Sequence, residues 1–181
     1  MINWWNTEIG ELERSYLNKA FREKKFSCGS YVREFEESIE GEMGVSNAIV
    51  TPSGTAALTM SLLVLGVGPE DEVIVPDMTW IATAQAVSIL GAKVVLVDSK
   101  NDSPVFDVKK LEYCISERTK AVIPVHFHGR YGDMEKLLSL QKKYGFSIVE
   151  DACKAMFCKA DRCYLGTIGE MGCFSLGLIS L

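Results

Sequence analysis

Apolar positions fall into two regimes along the chain. In Glu8–Lys25, Ile9, Leu12, Tyr16, Leu17, Ala20 and Phe21 recur every three to four residues, the period of an amphipathic helix. Ser27–Ser30 (SCGS) interrupts the pattern. Val32–Met43 resumes it, with Phe35 and Ile39 four apart, and Gly44 is a stop signal. From Ser46 onward, short continuous apolar runs appear at Ala48–Val50, Val73–Val75, Val94–Val97, Ala121–Val125 and Ser147–Val149. Helix-like stretches lie between them, at Thr55–Leu65, Ile81–Leu90, Val108–Ile115 and Met134–Tyr144. Strands with no polar alternation are buried on both faces, and their alternation with helices predicts an α/β fold with a mostly parallel sheet flanked by helices. Residues 1–45 therefore form a predicted N-terminal helical segment, and residues 46–181 a predicted α/β domain.

Composition narrows the class. A chain of 181 residues, 48% hydrophobic and 24% charged, has the size of one ordinary domain and enough apolar content for a core. Nineteen basic against 24 acidic residues give a net charge of −5, which is no electrostatic footprint for nucleic acid. No apolar run reaches the roughly 18 residues of a membrane span. The start, MINWWNTEIGELERS, lacks the basic and apolar regions of a signal peptide. The expected location is cytoplasmic, where six cysteines stay reduced. Cys153, Cys158 and Cys163 recur every five residues, but without the C-x2-C pairs of a metal site they read as buried or semi-buried thiols. His126 and His128, the two histidines, share a face if HFH is extended, a metal pair that lacks a third ligand.

In open α/β sheets, ligands bind beyond the carboxyl ends of the strands. The segments to search are therefore Thr51–Ala56, Pro76–Ile81, Asp98, His126–Arg130 and Glu150–Lys154. TPSGTAAL (Thr51–Leu58) puts Ser53, Gly54 and Thr55 between a strand and a helix, either as an anion site at the helix N-terminus or as a simple serine cap. The segment matches neither G-x-G-x-x-G nor the P-loop, which disfavours a dinucleotide or nucleotide fold. PDMTWIATA (Pro76–Ala84) sets Trp80 just past a strand, to stack on a flat ring or to fill the core. SIVEDACKA (Ser147–Ala155) ends an apolar strand in two carboxylates. An acid there pairs with a protonated ring nitrogen or a metal, or caps the next element. IGEMGCFSLG (Ile168–Gly177) reads as a further strand with Ser175 near its end.

Together, in this order and spacing, these segments resemble the DegT/DnrJ/StrS family of aminotransferases that use pyridoxal 5′-phosphate (PLP). SGTAAL, the TW-x-AT segment, VEDA and GCFS carry the likeness, with GSYVREFEESIEGEMGV (Gly29–Val45) ahead of them. The resemblance implies the large domain of fold type I PLP-dependent transferases, incomplete over 46–181 and without the small C-terminal domain. It also implies transfer of an amine from a donor such as glutamate to a nucleotide-linked keto sugar, by a homodimer. It assigns Ser53, Gly54 and Thr55 to the cofactor phosphate, with Ser175 adding a hydroxyl. Trp80 is assigned to the ring face and Asp151 to the ring nitrogen. Lys154 stands near the phenolic oxygen, where the family has Gln or His.

The family's catalytic lysine follows the phosphate serine by five residues, which here is Ser180, one residue before the end of the sequence. A serine has no amine with which to hold the cofactor covalently and is a poor base near neutral pH. The apolar ending CFSLGLISL then suggests a truncated chain, inactive alone. The alternative is a lysine-less PLP-binding homologue with a regulatory or interaction role. Either way, borohydride treatment of the chain mixed with PLP is expected to trap no adduct, as read by intact mass. A trapped adduct on any lysine, Lys154 above all, overturns that expectation.

Overall fold

The computed structural model describes residues 9–27 and 29–177, and the chain divides between Val50 and Thr51 into two units. In the first, helix α1 spans Glu11–Glu23 and α2 spans Ser30–Met43. The backbone N–H of Gly10 donates to Glu13 Oε2 at 2.7 Å, closing the start of α1. Gly44 ends α2 in the left-handed region at φ 67°, where a residue without Cβ adopts the turn freely. The predicted strand at Ala48–Val50 does not form. Two carboxylates of α2 take the amides a ladder would use: Ala48 N–H donates to Glu40 Oε1 at 3.1 Å, and Val50 N–H to Glu36 Oε1 at 2.9 Å. Ile49 stays 75% exposed, so burial gives the run no reason to join a sheet.

The second unit runs α3 (Gly54–Val64), β1 (Glu72–Pro76), α4 (Ile81–Ile89), β2 (Lys93–Val97), β3 (Ser99–Lys100), β4 (Ser103–Phe106), α5 (Val108–Cys114), β5 (Thr119–Val122), α6 (Met134–Tyr144), β6 (Ser147–Asp151), β7 (Lys159–Ala160), β8 (Cys163–Tyr164) and β9 (Met171–Cys173). Five strands form one sheet in the order β2-β1-β5-β6-β9, every neighbouring pair parallel. The pairs β3–β4 and β7–β8 are short antiparallel ribbons. Two-residue strands carry no period, so nothing in the sequence pattern announced the ribbons.

Period-two alternation divides the sheet's side chains between two cores. Val73, Val75, Ala121, Ile123 and Val149 pack on one face with Leu58 and Leu62 of α3 and Ala86 and Val87 of α4. Ile74, Val122 and Ile148 pack on the other with Leu111 of α5 and Leu137 and Leu140 of α6. Both faces of β1 and β6 are covered, which is why they read as unbroken apolar runs, whereas the edge strand β2 leaves Leu96 60% exposed. The expected strand Ala121–Val125 stops at Val122, because Pro124 has no N–H to continue the ladder. Its carbonyl still accepts from Asp151 N–H at 2.9 Å, and Val125 bridges to Asp151. Among the described residues, no helix is long and apolar enough to cross a membrane.

At the amino ends of the strands, Glu72 is only 4% exposed. It accepts from Ser116 Oγ at 2.6 Å, Lys93 Nζ at 3.0 Å and Arg118 Nη2 at 2.7 Å. The Ser116 hydroxyl first, then the Lys93 ammonium, draw its pKa down from 4.5 to about 2. The folded value lies below the unfolded one, so the ionised carboxylate stabilises the fold above pH 4.5. That contribution fades as pH falls from 4.5 to about 2. Urea midpoints measured across this window are expected to fall less steeply in Glu72→Gln than in the parent chain. Parallel curves would refute the assignment.

Candidate functional site

The carboxyl ends of β1, β6 and β9 gather most of the residues that the sequence singled out. Ser53 caps α3 in extended geometry, φ −164°, and its Oγ accepts Ala56 N–H at 3.1 Å. The cap leaves the amides of Gly54 and Thr55 at the positive end of an eleven-residue helix. A Cβ on Gly54 would stand 2.7 Å from Cys153 Sγ and 3.1 Å from Ser175 Cβ. That close approach requires glycine and draws the start of α3 against the loops that follow β6 and β9. Ser175 Oγ, two residues past β9, accepts Gly177 N–H at 3.4 Å.

Asp151 closes β6 and is 6% exposed. Its backbone is pinned on both sides, N–H to Pro124 O at 2.9 Å and O from His126 N–H at 3.0 Å. Oδ2 accepts the Thr83 hydroxyl at 2.8 Å, and Oδ1 accepts Cys153 N–H at 3.2 Å. Asp151 and Cys153 thus join two groups, the α3 terminus with Ser175 and the first turn of α4. Trp80 is the N-cap residue of α4, and its carbonyl accepts Thr83 N–H at 3.1 Å. It is 69% exposed, so the core-filling alternative does not describe it. Lys154 follows Cys153 and is partly buried. Ser180 lies outside the described residues.

Burial and the nearby Asp151 carboxylate hold the Cys153 thiol well above the usual range. Burial also pushes Cys173 up to about 11. Both are neutral thiols at physiological pH and act as packing groups. The histidines do not share a face. His128 takes a left-handed turn at φ 52° in the short 3-10 segment Phe127–Gly129, while His126 is fully buried. Asp98, another strand-end acid, pairs instead with Lys110 at 2.6 Å on the surface.

Thr83, in TW-x-AT, and Glu150, in VEDA, lie within the quoted motifs, but sequence reasoning assigned neither a role of its own. Thr83 is fully buried on Asp151, a partnership across 68 residues that no local spacing encodes. Glu150, also fully buried, accepts His126 Nε2 at 2.7 Å, Gly166 N–H at 2.9 Å, and Ile168 and Gly169 N–H at 2.6 Å each. Burial alone would raise its pKa. The His126 hydrogen bond and the backbone amides outweigh burial and leave it lowered.

The arrangement offers a helix terminus for an anion, an exposed indole face, and a buried carboxylate with acceptor capacity left over. A phosphorylated aromatic cation carries the complementary groups.

Known proteins are similar to this chain over most of its length. The model of the DegT/DnrJ/EryC1/StrS aminotransferase family matches residues 7–176. A UDP-N-acetyl-3-dehydro-alpha-D-glucosamine 3-aminotransferase of Acidithiobacillus ferrooxidans is 38% identical over 159 residues, which is 88% of this chain and 43% of that protein. A GDP-perosamine synthase of Caulobacter vibrioides is 39% identical over 82% of this chain and 40% of its own length. The solved Spr1654 protein of Streptococcus pneumoniae, in its PMP form, superposes with a TM-score of 0.93 at 29% identity, over 99% of this chain and 49% of that one. The chain therefore spans a little under half the length of the relatives it matches. Its parallel sheet flanked by helices is that of the PLP-dependent aminotransferases.

The Glu150 network generates a stability prediction. Glu150→Ala strands a buried imidazole and three amides, and should cost about 3–5 kcal/mol, read from urea unfolding. A loss under about 1 kcal/mol, the net worth of one ordinary hydrogen bond, would show that the network is incidental.

Proposed function

We propose, on the premise that this chain belongs to the DegT/DnrJ/EryC1/StrS aminotransferase family, that residues 51–177 are the cofactor-holding core of a PLP-dependent aminotransferase. Its substrates in the full-length protein would be nucleotide-linked keto sugars, with an amino donor such as glutamate. The activities named for the Acidithiobacillus and Caulobacter relatives support the sugar class. The PLP and PMP forms of the Streptococcus structure support the cofactor.

One observation carries the reading: Gly54 seated on Cys153 and Ser175, with Asp151 held beside them. In it, the α3 terminus with Ser53, Gly54 and Thr55 binds the phosphate, and Ser175 adds a hydroxyl. Trp80 covers the ring face and excludes water from it. Asp151 keeps the ring nitrogen protonated, and Lys154 is assigned to the phenolic oxygen. When bound, PLP supplies an electron sink for the pair left as a substrate Cα proton departs. Ser180 offers no amine to the cofactor, so this chain by itself would hold it without a covalent link.

Self-association fits the same reading. Helices α3 and α4 contain no charged residue, yet Leu63, Val64, Ile81 and Ile89 remain exposed on them. A helix apolar all round belongs under cover, and a second copy presents the same neutral surface.

Pyridoxamine 5′-phosphate (PMP) is the direct probe, because it needs no lysine to bind. Titration followed by calorimetry is expected to show one saturable site. Asp151→Ala should weaken it about tenfold or more, the worth of a hydrogen bond to a charged group. An unsaturable titration of a chain that melts cooperatively would overturn the proposal.

A further inference from the structure

Proton bookkeeping around Asp151 shows a directed chain of hydroxyls. Thr83 Oγ1 donates its single proton to Asp151 Oδ2 at 2.8 Å. Thr79 Oγ1 lies 3.0 Å from Thr83 Oγ1. Since the Thr83 proton is committed to the carboxylate, Thr79 must be the donor in that pair. The order is Thr79 to Thr83 to Asp151, and each link polarises the next. Thr83 is fully buried in the first turn of α4, so its hydroxyl is walled off from water. With Cys153 N–H on Oδ1 at 3.2 Å, each carboxylate oxygen has one donor from a different element. An ionised carboxylate offers about four acceptor sites. The two fixed donors set its plane and leave room for a further donor.

We propose that Thr83, oriented by Thr79, is a positioning residue that sets the plane of the Asp151 carboxylate so that it meets a protonated ring nitrogen. The inference deepens the cofactor reading and rests on it. Thr83 touches no substrate or cofactor atom; it acts through Asp151. A purely structural threonine would instead affect the fold or the whole cofactor site without regard to the ring atom that Asp151 faces.

That difference defines the experiment. The full chain and its Thr83→Val and Thr83→Ser variants are titrated with PMP and with the 1-deaza analogue, in which carbon replaces the ring nitrogen. Valine keeps the volume and removes the donor; serine keeps the donor. Thr83→Val is expected to weaken PMP binding about tenfold, in line with one hydrogen bond to a charged group, while changing binding of the analogue less than about twofold. Thr83→Ser should bind both ligands as the parent does. Melting curves of all three chains check the fold. Equal weakening toward both ligands, or none toward PMP, overturns the positioning role while leaving the cofactor reading intact. Failure of the parent chain to bind PMP removes the cofactor reading, and this inference with it. If Thr83→Val does not fold, Thr79→Val takes its place, with the same selective loss, smaller in size, expected and an unselective one overturning the proposal.

Discussion

The site depends on the alternation of side chains along β6. Successive residues of a strand point to opposite faces. Ile148 joins the core under α5 and α6, and Val149 joins the core under α3 and α4. Glu150 and Asp151 continue that parity. Glu150 turns toward His126 and the 166–169 loop, whereas Asp151 turns toward Thr83 of α4. Two adjacent carboxylates therefore hold unrelated positions, and a register slip of one residue would exchange them. The apolar pairs Val149–Met171 and Val122–Ile148 fix the register, so core packing decides which acid reaches the site.

The two acids are nevertheless linked. Glu150 gathers the amides of Gly166, Ile168 and Gly169, the stretch that leads into β9. Glu170 adds Ile148 N–H at 2.7 Å and the Gln141 amide. The backbones then come so close that a Cβ on Gly172 would overlap Gly166 O, at 1.9 Å. Only glycine permits this approach. β9 is held against β6 with Cys173 opposite Asp151, and Ser175 follows two residues later beside Gly54. A carboxylate on one face of the sheet thus positions a hydroxyl at the site on the other.

Apolar runs made the main strands easy to read. β1 and β6, buried on both sides, stand out through Val73–Val75 and Ile148–Val149, and the edge strand β2 through Val94–Val97 although Leu96 stays exposed. Ala48–Val50 looked the same but is claimed by Glu36 and Glu40, whose side chains reach across turns that periodicity does not see. HFH read as extended because one left-handed residue, His128, leaves no compositional trace. Ser53, Gly54, Trp80, Asp151 and Ser175 were legible through motifs that sit beside strand ends. Thr83 stands in the TW-x-AT motif, but its pairing with Asp151, 68 positions away, exists only once the fold has formed.

That division bears on what a chain spanning a little under half of its relatives' length can hold. Every group assigned to hold the cofactor without a covalent bond comes from residues 51–177: a helix terminus, an indole, a carboxylate with its supporting hydroxyls, the Lys154 ammonium, and a serine. Their geometry is set by strand pairing and by the close approaches at Gly54, Gly166 and Gly172. In the proposed reading, the phosphate and ring-nitrogen contacts would place the cofactor. Covalent attachment and proton transfer would be the work of a lysine beyond β9. In the proposed reading, noncovalent holding and covalent attachment would fall to different residues. The groups proposed for the first stand at the ends of the strands whose parity directs Asp151 and Glu150 apart.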